Sequence, residues 1–238
     1  MTKKLVGILL LWTLSLFCLP SFAFTQEDID AHAYFGIDLE RRNLRFEDNF
    51  GDNLFKNELN QYNTWIALQV FRYFGIGVGY DNANRRNRTN ILNEGESYLG
   101  IFLAPGDGIE THLTETKIKG THVELLGFYP ICPRFMIDVI GSLGVARNKL
   151  SLTDFFIAQD NILLSSPIVR TYDDKKSVAR ASLGLQMIIY KYFGARAQVI
   201  WENNSRFNGL KPIESPAALT NVNLRDSYIY SIGLFVTI

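Results

Sequence analysis

The chain has 238 residues, of which 47% are hydrophobic, 13% aromatic and 20% charged. This composition excludes disordered, collagen-like and coiled-coil proteins. Lys and Arg together balance Asp and Glu at 24 each, which disfavours a nucleic-acid binder with a basic face. Two cysteines and three histidines leave few candidate ligands, so no metal and no cofactor are expected.

The first 23 residues have the pattern of an export signal. Lys3 and Lys4 precede an apolar run over residues 5–17, Pro20 breaks that run, and a small residue stands at Ala23. We predict a signal peptide over residues 1–23, cleaved after Ala23, and one mature domain over residues 24–238. The alternatives are a membrane anchor, since residues 5–24 approach the ~20 needed to cross a bilayer, and a lipoprotein cut before Cys18. Cleavage after Ala23 leaves Cys132 as the sole cysteine, without a disulfide partner.

Beyond residue 24 the hydrophobic pattern has a period of two, which indicates β-strands. The final segment is the clearest, with Tyr228, Tyr230 and Ile232 on one face and Ser231 and Gly233 on the other. Eight alternating segments occur in all, at about residues 34–41, 62–71, 76–81, 122–125, 137–145, 180–189, 195–202 and 228–238.

One face of these segments is apolar, whereas the other carries small residues, polar groups and charges of both signs. A soluble sandwich buries its apolar face and exposes lysine-rich positions, a pattern that these segments lack. In lipid every backbone group must be paired, which strands achieve only in a closed barrel. We therefore predict an all-β fold, an eight-stranded antiparallel up-and-down transmembrane β-barrel.

The predicted connections alternate in length. Three are short, at residues 72–75, 130–134 and 191–194, and four are long, at residues 42–61, 82–119, 148–176 and 203–225. This alternation is typical of barrels with periplasmic turns and four long extracellular loops. Two of the turns carry aromatic residues suited to the membrane interface, namely Tyr73, Phe74, Tyr192 and Phe193.

Several segments together resemble a known family. They are FRYFGIGVGY from Phe71, HVELLGFYP from His122, MIDVIGSLGVAR from Met136, ARASLGLQMIIYKYFGARAQVIWE from Ala179, and the alternating C-terminal strand. In order and spacing they are similar to the small OmpA-like, opacity-type outer-membrane barrels. The resemblance implies export to the outer membrane of a Gram-negative bacterium, insertion by the barrel-assembly machinery through the C-terminal strand, and adhesion or host contact. Such barrels usually end in Phe, whereas this chain ends in Ile238.

The inward positions of the predicted strands define a polar network in the lumen. Its expected members are Asp38, Glu40, Gln69, His122, Glu124, Asp138, Arg180, Gln186, Arg196 and Glu202. One interpretation is structural, since the interior of an eight-stranded barrel is just wide enough for side chains to fill and ion pairs satisfy buried charges. The alternative is a gate in a narrow porin-like channel for ions or small solutes.

A lipid A-modifying enzyme is a third hypothesis. The stretch WENNSRFNGL from Trp201 is similar to the lipid A deacylases, whose nucleophilic Ser is preceded by His. Here Glu202 to Asn204 precede Ser205, while His112 and His122 stand elsewhere in the chain. Since a nucleophile needs a base within hydrogen-bond reach, we predict no catalytic residues and no enzymatic activity.

The long loops are the expected site of recognition, because binding residues concentrate on loops held by a rigid scaffold. Arg85, Arg86 and Arg88 form a basic cluster that we predict to face lipopolysaccharide. The expected partners are therefore outer-membrane lipid, lipopolysaccharide and a host or extracellular ligand. The leading hypothesis is a structural or adhesin-like surface role, with the narrow channel as the alternative.

Overall fold

The computed structural model describes residues 32–47, 55–83, 85–98, 101–132, 136–190, 192–207 and 222–238. The predicted signal peptide and its cleavage site at Ala23 lie outside these residues. The strands are β1 (His32–Phe46), β2 (Glu58–Phe71), β3 (Phe74–Ala83), β4 (Arg86–Leu92), β5 (Ser97–Tyr98), β6 (Ile101–Phe102), β7 (Glu110–Cys132), β8 (Ile137–Gln159), β9 (Ile162–Tyr190), β10 (Phe193–Glu202) and β11 (Leu224–Thr237). A short 3-10 helix, Asn204–Phe207, follows β10.

Eight antiparallel strands close into a barrel, as predicted. The ring runs β1, β2, β3, β7, β8, β9, β10, β11 and returns to β1. The first and last strands pair from Tyr34 opposite Thr237 to Phe46 opposite Leu224. On the other side β3 pairs with β7, from Phe74 opposite Gly127 to Asn82 opposite Lys119. Closure leaves no free sheet edge within the barrel, which is the condition for strands in lipid.

The outer surface of the barrel is an apolar belt. Leu39, Leu143 and Leu234 expose 69%, 70% and 68% of their surface, an arrangement opposite to that of a water-soluble barrel. Exposed aromatic residues stand at both borders of the belt. Those at the turn end are Phe71, Phe74, Tyr129, Tyr190, Tyr192 and Phe193, and those at the other end are Tyr62, Tyr80 and Tyr228. An apolar band between two aromatic girdles is the lipid-facing surface of an outer-membrane barrel.

The structure contradicts the two longest predicted loops, at residues 82–119 and 148–176, because both ranges contain β-strands. Residues 148–176 are the continuation of β8 and β9, which pair without a break from Asn148 opposite Lys176 to Phe156 opposite Ile168. They reverse at Asp160 and Asn161, whose φ angles of 48° and 65° are left-handed, as a tight hairpin turn requires. Residues 82–119 likewise contain β4, β5, β6 and the first part of β7.

These extensions form a sheet that projects beyond the belt. β4 pairs with β7 from Arg86 opposite Thr116 to Leu92 opposite Glu110, so the projecting sheet has the order β4, β7, β8, β9. A spanning strand needs about 9–11 residues, whereas β7 and β8 have 23 and β9 has 29. The sheet lies at the end opposite the short turns, which is the extracellular end of such barrels.

The interior has three layers. At the turn end an apolar cluster fills the lumen, formed by Tyr34, Trp65, Ala67, Phe128, Ile140 and Phe235. The middle layer is polar and charged. Above it lies a larger apolar cluster inside the extracellular end, which includes Leu44, Phe46, Phe55, Leu59, Ile118, Leu150, Leu152, Tyr172, Val178 and Phe207. No helix among the described residues has the length and apolar character needed to span a bilayer.

Candidate functional site

The charged middle layer of the lumen is the largest assembly of buried ionisable groups among the described residues. Its side chains point inward because they occupy alternate positions of strands whose other face contacts lipid. Glycines on neighbouring strands make room for the larger groups. A Cβ on Gly79 would collide with the ring of His122, and one on Gly233 would collide with the carboxylate of Asp38.

Asp38, Arg196 and Trp65 form the part of this layer nearest the turns. The guanidinium of Arg196 binds both carboxylate oxygens of Asp38, with Nε 3.0 Å from each. Trp65 Nε1 donates to Asp38 Oδ1 at 3.0 Å. The Arg196 guanidinium also lies 3.4 Å from the centre of the Trp65 ring, as a cation–π contact. The three groups therefore satisfy one another across β1, β2 and β10.

Arg180 is the hub of the central part. Its Nη1 lies 2.8 Å from Asp81 Oδ2 and 2.9 Å from Glu202 Oε1, and its Nε lies 2.6 Å from Glu124 Oε1. These acids stand on three other strands, so one side chain of β9 ties together β3, β7 and β10. Arg180 exposes only 2% of its surface.

A second buried arginine, Arg42 of β1, completes the central part. Its guanidinium pairs with Glu202 and lies 3.2 Å from Asp81 Oδ2. Its Nε donates to Gln61 Oε1 at 2.8 Å, while the amide of Gln61 donates to Glu40. Two arginines thus share the carboxylates of Asp81 and Glu202, which holds β1 and β9 at a fixed distance across the lumen.

His122 links the remaining polar groups. Its Nε2 lies 3.2 Å from Asn63 Oδ1 and 3.7 Å from Asp81 Oδ1, and its Nδ1 lies 3.3 Å from Glu124 Oε1. Oxygen atoms therefore face both ring nitrogens. The layer as a whole contains five carboxylates and three guanidiniums in addition to this imidazole: Asp38, Glu40, Asp81, Glu124, Glu202, Arg42, Arg180 and Arg196.

The charged layer leaves little space for a solute. The apolar clusters lie on both sides of it. On the turn side a cavity of about 10 Å³ remains among Tyr34, Trp65, Phe128, Ile140 and Arg196, which is room for about one water molecule. The ion pairs of the charged layer therefore join the strands to one another across a filled lumen.

The structure brings most of the predicted lumen residues together. Asp38, Glu40, His122, Glu124, Arg180, Arg196 and Glu202 all lie in the charged layer. Three others lie nearer the turns. Gln69 accepts a hydrogen bond from the Tyr34 hydroxyl at 2.6 Å, and Gln186 donates to Asp138 at 3.2 Å.

Sequence reasoning missed five members of the layer: Arg42, Gln61, Asn63, Asp81 and Asn148. Arg42, Gln61 and Asn148 stand at the borders of predicted loops, where the alternation of apolar residues fades. Strand parity is the signal that could have found them. Arg42 follows Asp38 and Glu40 at the same two-residue spacing, and Asn148, which donates to Glu202 Oε2 at 3.0 Å, continues the inward face of β8.

The predicted basic cluster is not a free loop. Arg86 and Arg88 lie in β4, and Arg85, immediately before that strand, pairs with Glu115 of β7 at 3.3 Å. Arg88 is partly buried, while Arg86 is exposed. The loop assignment was wrong because β4 is an edge strand whose polar residues lack the apolar alternation of the belt.

The residues of the enzyme hypothesis do not meet. Ser205 lies in the 3-10 helix and donates from its hydroxyl to Asn203 Oδ1 at 2.5 Å. The histidines are engaged elsewhere, His122 in the lumen and His112 in the projecting sheet. No hydrogen bond joins Ser205 to a histidine within the described ranges, so the pair that acyl transfer needs is not assembled there.

A smaller ionisable cluster lies in the projecting sheet, outside the membrane. His112 Nδ1 is 2.9 Å from Asp154 Oδ1, and its Nε2 is 3.0 Å from Glu110 Oε2. Arg170 Nη1 stands 3.6 Å from the other oxygen of Asp154, and the imidazole stacks on Phe156. Burial lowers the pKa of His112, but hydrogen bonds and charge from Asp154 and Glu110 outweigh burial and raise the net pKa above 6.5.

Comparisons with known proteins give matches only among solved structures. No protein-family model matches the chain, and no curated protein matches it. Ail, the attachment invasion locus protein of Yersinia pestis, is similar at a TM-score of 0.48 and 11% identity, covering 88% of this chain and 100% of Ail. Ail has also been solved with the heparin analogue sucrose octasulfate.

Two other small barrels give similar values. Neisserial surface protein A has a TM-score of 0.48 and 10% identity, covering 87% of this chain and 99% of its own. The outer membrane protein OprG of Pseudomonas aeruginosa has a TM-score of 0.46 and 11% identity, covering 87% of this chain and 95% of OprG.

Proposed function

We propose that the chain is an outer-membrane barrel that does not conduct and that anchors an extracellular β-sheet for contact with other surfaces. The proposal rests on the difference between the interior of the barrel and the parts of its strands beyond the membrane. The lumen is filled by a charged layer between two apolar clusters, while β7, β8 and β9 extend far beyond the length needed to cross the membrane.

The filled lumen favours an anchor over the alternative of a narrow channel. A water path would have to pass the ion pairs of Arg180 and Arg42 and then both apolar clusters. Breaking one partner of a buried pair is strongly destabilising, and side chains fill the interior of an eight-stranded barrel. Opening would therefore require rearrangement of three successive layers of packed side chains.

The projecting sheet supports the contact role. β9 has 29 residues, so it extends about 95 Å along its own axis at ~3.3 Å per residue. Its distal part carries exposed apolar residues near the hairpin turn, with Ile162 at 72%, Leu163 at 76% and Ile168 at 53% exposure. A projecting sheet with an exposed apolar tip suits recognition of another surface.

Two measurements test the proposal together. The first is single-channel conductance of the protein purified from membranes, for which we expect electrical silence. The second compares attachment of bacteria displaying either the full chain or a variant in which a tight turn replaces residues 155–169, using epithelial monolayers as the probe. We expect the shortened variant to attach less at equal surface level. Discrete conductance steps, or equal attachment by both variants, would overturn the proposal.

A further inference from the structure

A row of lysines crosses the outer face of the projecting sheet just above the apolar belt. Lys119 of β7 lies directly opposite Lys149 of β8, and Lys149 lies directly opposite Lys175 of β9. The next row toward the membrane adds Arg147, between Thr121 and Ser177. The row after that is already lipid-facing, with Val145 55% and Val123 56% exposed.

This row is unfavourable unless an anion neutralises it. Like charges at directly opposed positions of neighbouring strands destabilise a sheet. The only ion pair that the described residues supply to the row joins Lys149 to Asp173, with 2.7 Å between nitrogen and oxygen. Within the described part of the chain no carboxylate pairs with Lys119, Lys175 or Arg147, and Lys117 adds another positive charge to the same face.

The position of the row indicates where the missing anion comes from. The row lies two residues, or about 7 Å along the strands, from Arg147 and four residues from the first lipid-facing valines. Charged groups of lipid headgroups occupy this level of a bilayer. The hydroxyls of Thr121 and Ser177 flank Arg147 and can donate hydrogen bonds to the same group.

We propose that Lys119, Lys149, Lys175 and Arg147 bind phosphate groups of the phosphorylated glycolipid that forms the outer leaflet. The three lysines stand at directly opposed positions of adjacent strands, whose backbones lie about 5 Å apart, so their ammonium groups can make charge-assisted hydrogen bonds to the same or neighbouring phosphates. This assignment places the phosphate contact on β7, β8 and β9 rather than on Arg85, Arg86 and Arg88, of which Arg85 already pairs with Glu115.

The test measures thermal unfolding of the full protein, purified from membranes, in phosphatidylcholine vesicles with increasing lipopolysaccharide. The variant K119Q/K175Q removes two charges but keeps the Lys149–Asp173 pair. The matched control R85Q/R86Q also removes two charges. Each surface cation contributes roughly a fivefold factor in binding to anionic lipid, so half-maximal stabilisation of the variant should need about 30-fold more lipopolysaccharide. The control should need the same amount as the wild type.

A second readout tests the repulsion directly. In vesicles without lipopolysaccharide, K119Q/K175Q should unfold at a temperature equal to or above that of the wild type, because it lacks the opposed charges. An unchanged lipopolysaccharide requirement in the variant would overturn the proposal. So would equal protection by soluble inositol hexakisphosphate in vesicles without lipopolysaccharide, because the ligand would then be a free polyanion rather than a headgroup.

Discussion

The membrane-spanning and projecting parts of β7, β8 and β9 follow opposite rules on the same strands. Inside the belt the outward positions are apolar, as at Leu143, and the inward positions are polar, as at Ser142. Beyond Arg147 the pattern is reversed, so that Lys149 points outward and Leu150 points inward. The inversion occurs without a change of strand parity, which means that the environment has changed and not the backbone. The position along the strand at which the polar and apolar faces exchange therefore marks the surface of the membrane.

β1 shows the same inversion. Its inward face passes from Asp38 and Glu40 to Leu44 and Phe46, while its outward face passes from Leu39 to Arg41. The extracellular end thus has a polar outer surface and an apolar interior, as a water-soluble protein has, whereas the membrane-spanning part has an apolar outer surface. The buried charged layer lies inside the barrel next to the apolar interior of the extracellular end.

The strongest expected disruption of this arrangement is Arg180→Ala. Loss of the hub leaves Glu124 without a guanidinium partner and leaves Asp81 and Glu202 with Arg42 alone, and breaking one side of a buried pair costs about 3–5 kcal/mol. Urea unfolding in vesicles, followed by the mobility shift of the folded barrel, measures the loss. A loss of unfolding free energy as small as that expected for substitution of an exposed arginine would show that the charged layer does not hold the barrel together.

A smaller loss is expected from Gly79→Ala. The added methyl group would collide with His122 and stand 2.8 Å from Asn63 Oδ1, and overpacking of this kind typically costs about 1–3 kcal/mol. The matched control is Gly127→Ala, whose methyl group meets nothing nearer than a backbone oxygen at 3.8 Å. Equal unfolding free energies for the two variants would contradict the packing described for the lumen.

The projecting sheet should respond to pH through His112. Its pKa is raised above 6.5 in the folded protein by Asp154 and Glu110, in opposition to burial. The resulting stabilisation is complete below about pH 6.5 and is lost as pH rises through the raised value. NMR titration of the His112 ring should give that raised pKa, and Asp154→Asn should lower it. A titration midpoint that Asp154→Asn leaves unchanged would argue against the cluster.

The smallest effect is expected from Arg41→Ala at the outer rim. Arg41 pairs with Glu58 at 2.5 Å, but the two side chains are 61% and 45% exposed. Exposed pairs contribute about 0–1 kcal/mol, so the unfolding free energy should barely change. Measured beside Arg180→Ala, this variant separates the effect of burial from the effect of losing an arginine.

The exchange of polar and apolar faces at the membrane surface also explains which parts of the strands could be predicted from the sequence. The barrel was predictable because lipid imposes apolar residues at every second position over whole strands, as in the run from Tyr228 to Ile238. The extracellular parts of β8 and β9 were missed because their apolar residues, such as Leu150 and Leu152, occupy the face that is polar inside the membrane. A search for one constant apolar face therefore ends each strand at the membrane surface.

The residues that lie in the lumen were easier to predict than the ion pairs that they form with one another. Inward parity identifies Asp38 and Arg196 as lumen residues, but they are 158 positions apart and meet only because closure brings β1 and β10 to the same level. Which acid faces which arginine depends on the stagger of the strands. That stagger cannot be derived from any local pattern in the sequence.

The inversion along β8 is the claim that a single experiment tests most directly. Spin labels are introduced one at a time at residues 143, 145, 147, 149 and 151, with Cys132 replaced by Ser, and their collision rates with oxygen and a water-soluble nickel complex are measured in vesicles. We predict lipid-like accessibility at 143 and 145, a border at 147, and water-like accessibility at 149 and 151. Lipid-like values at 149 and 151, or water-like values at 143 and 145, would contradict this account.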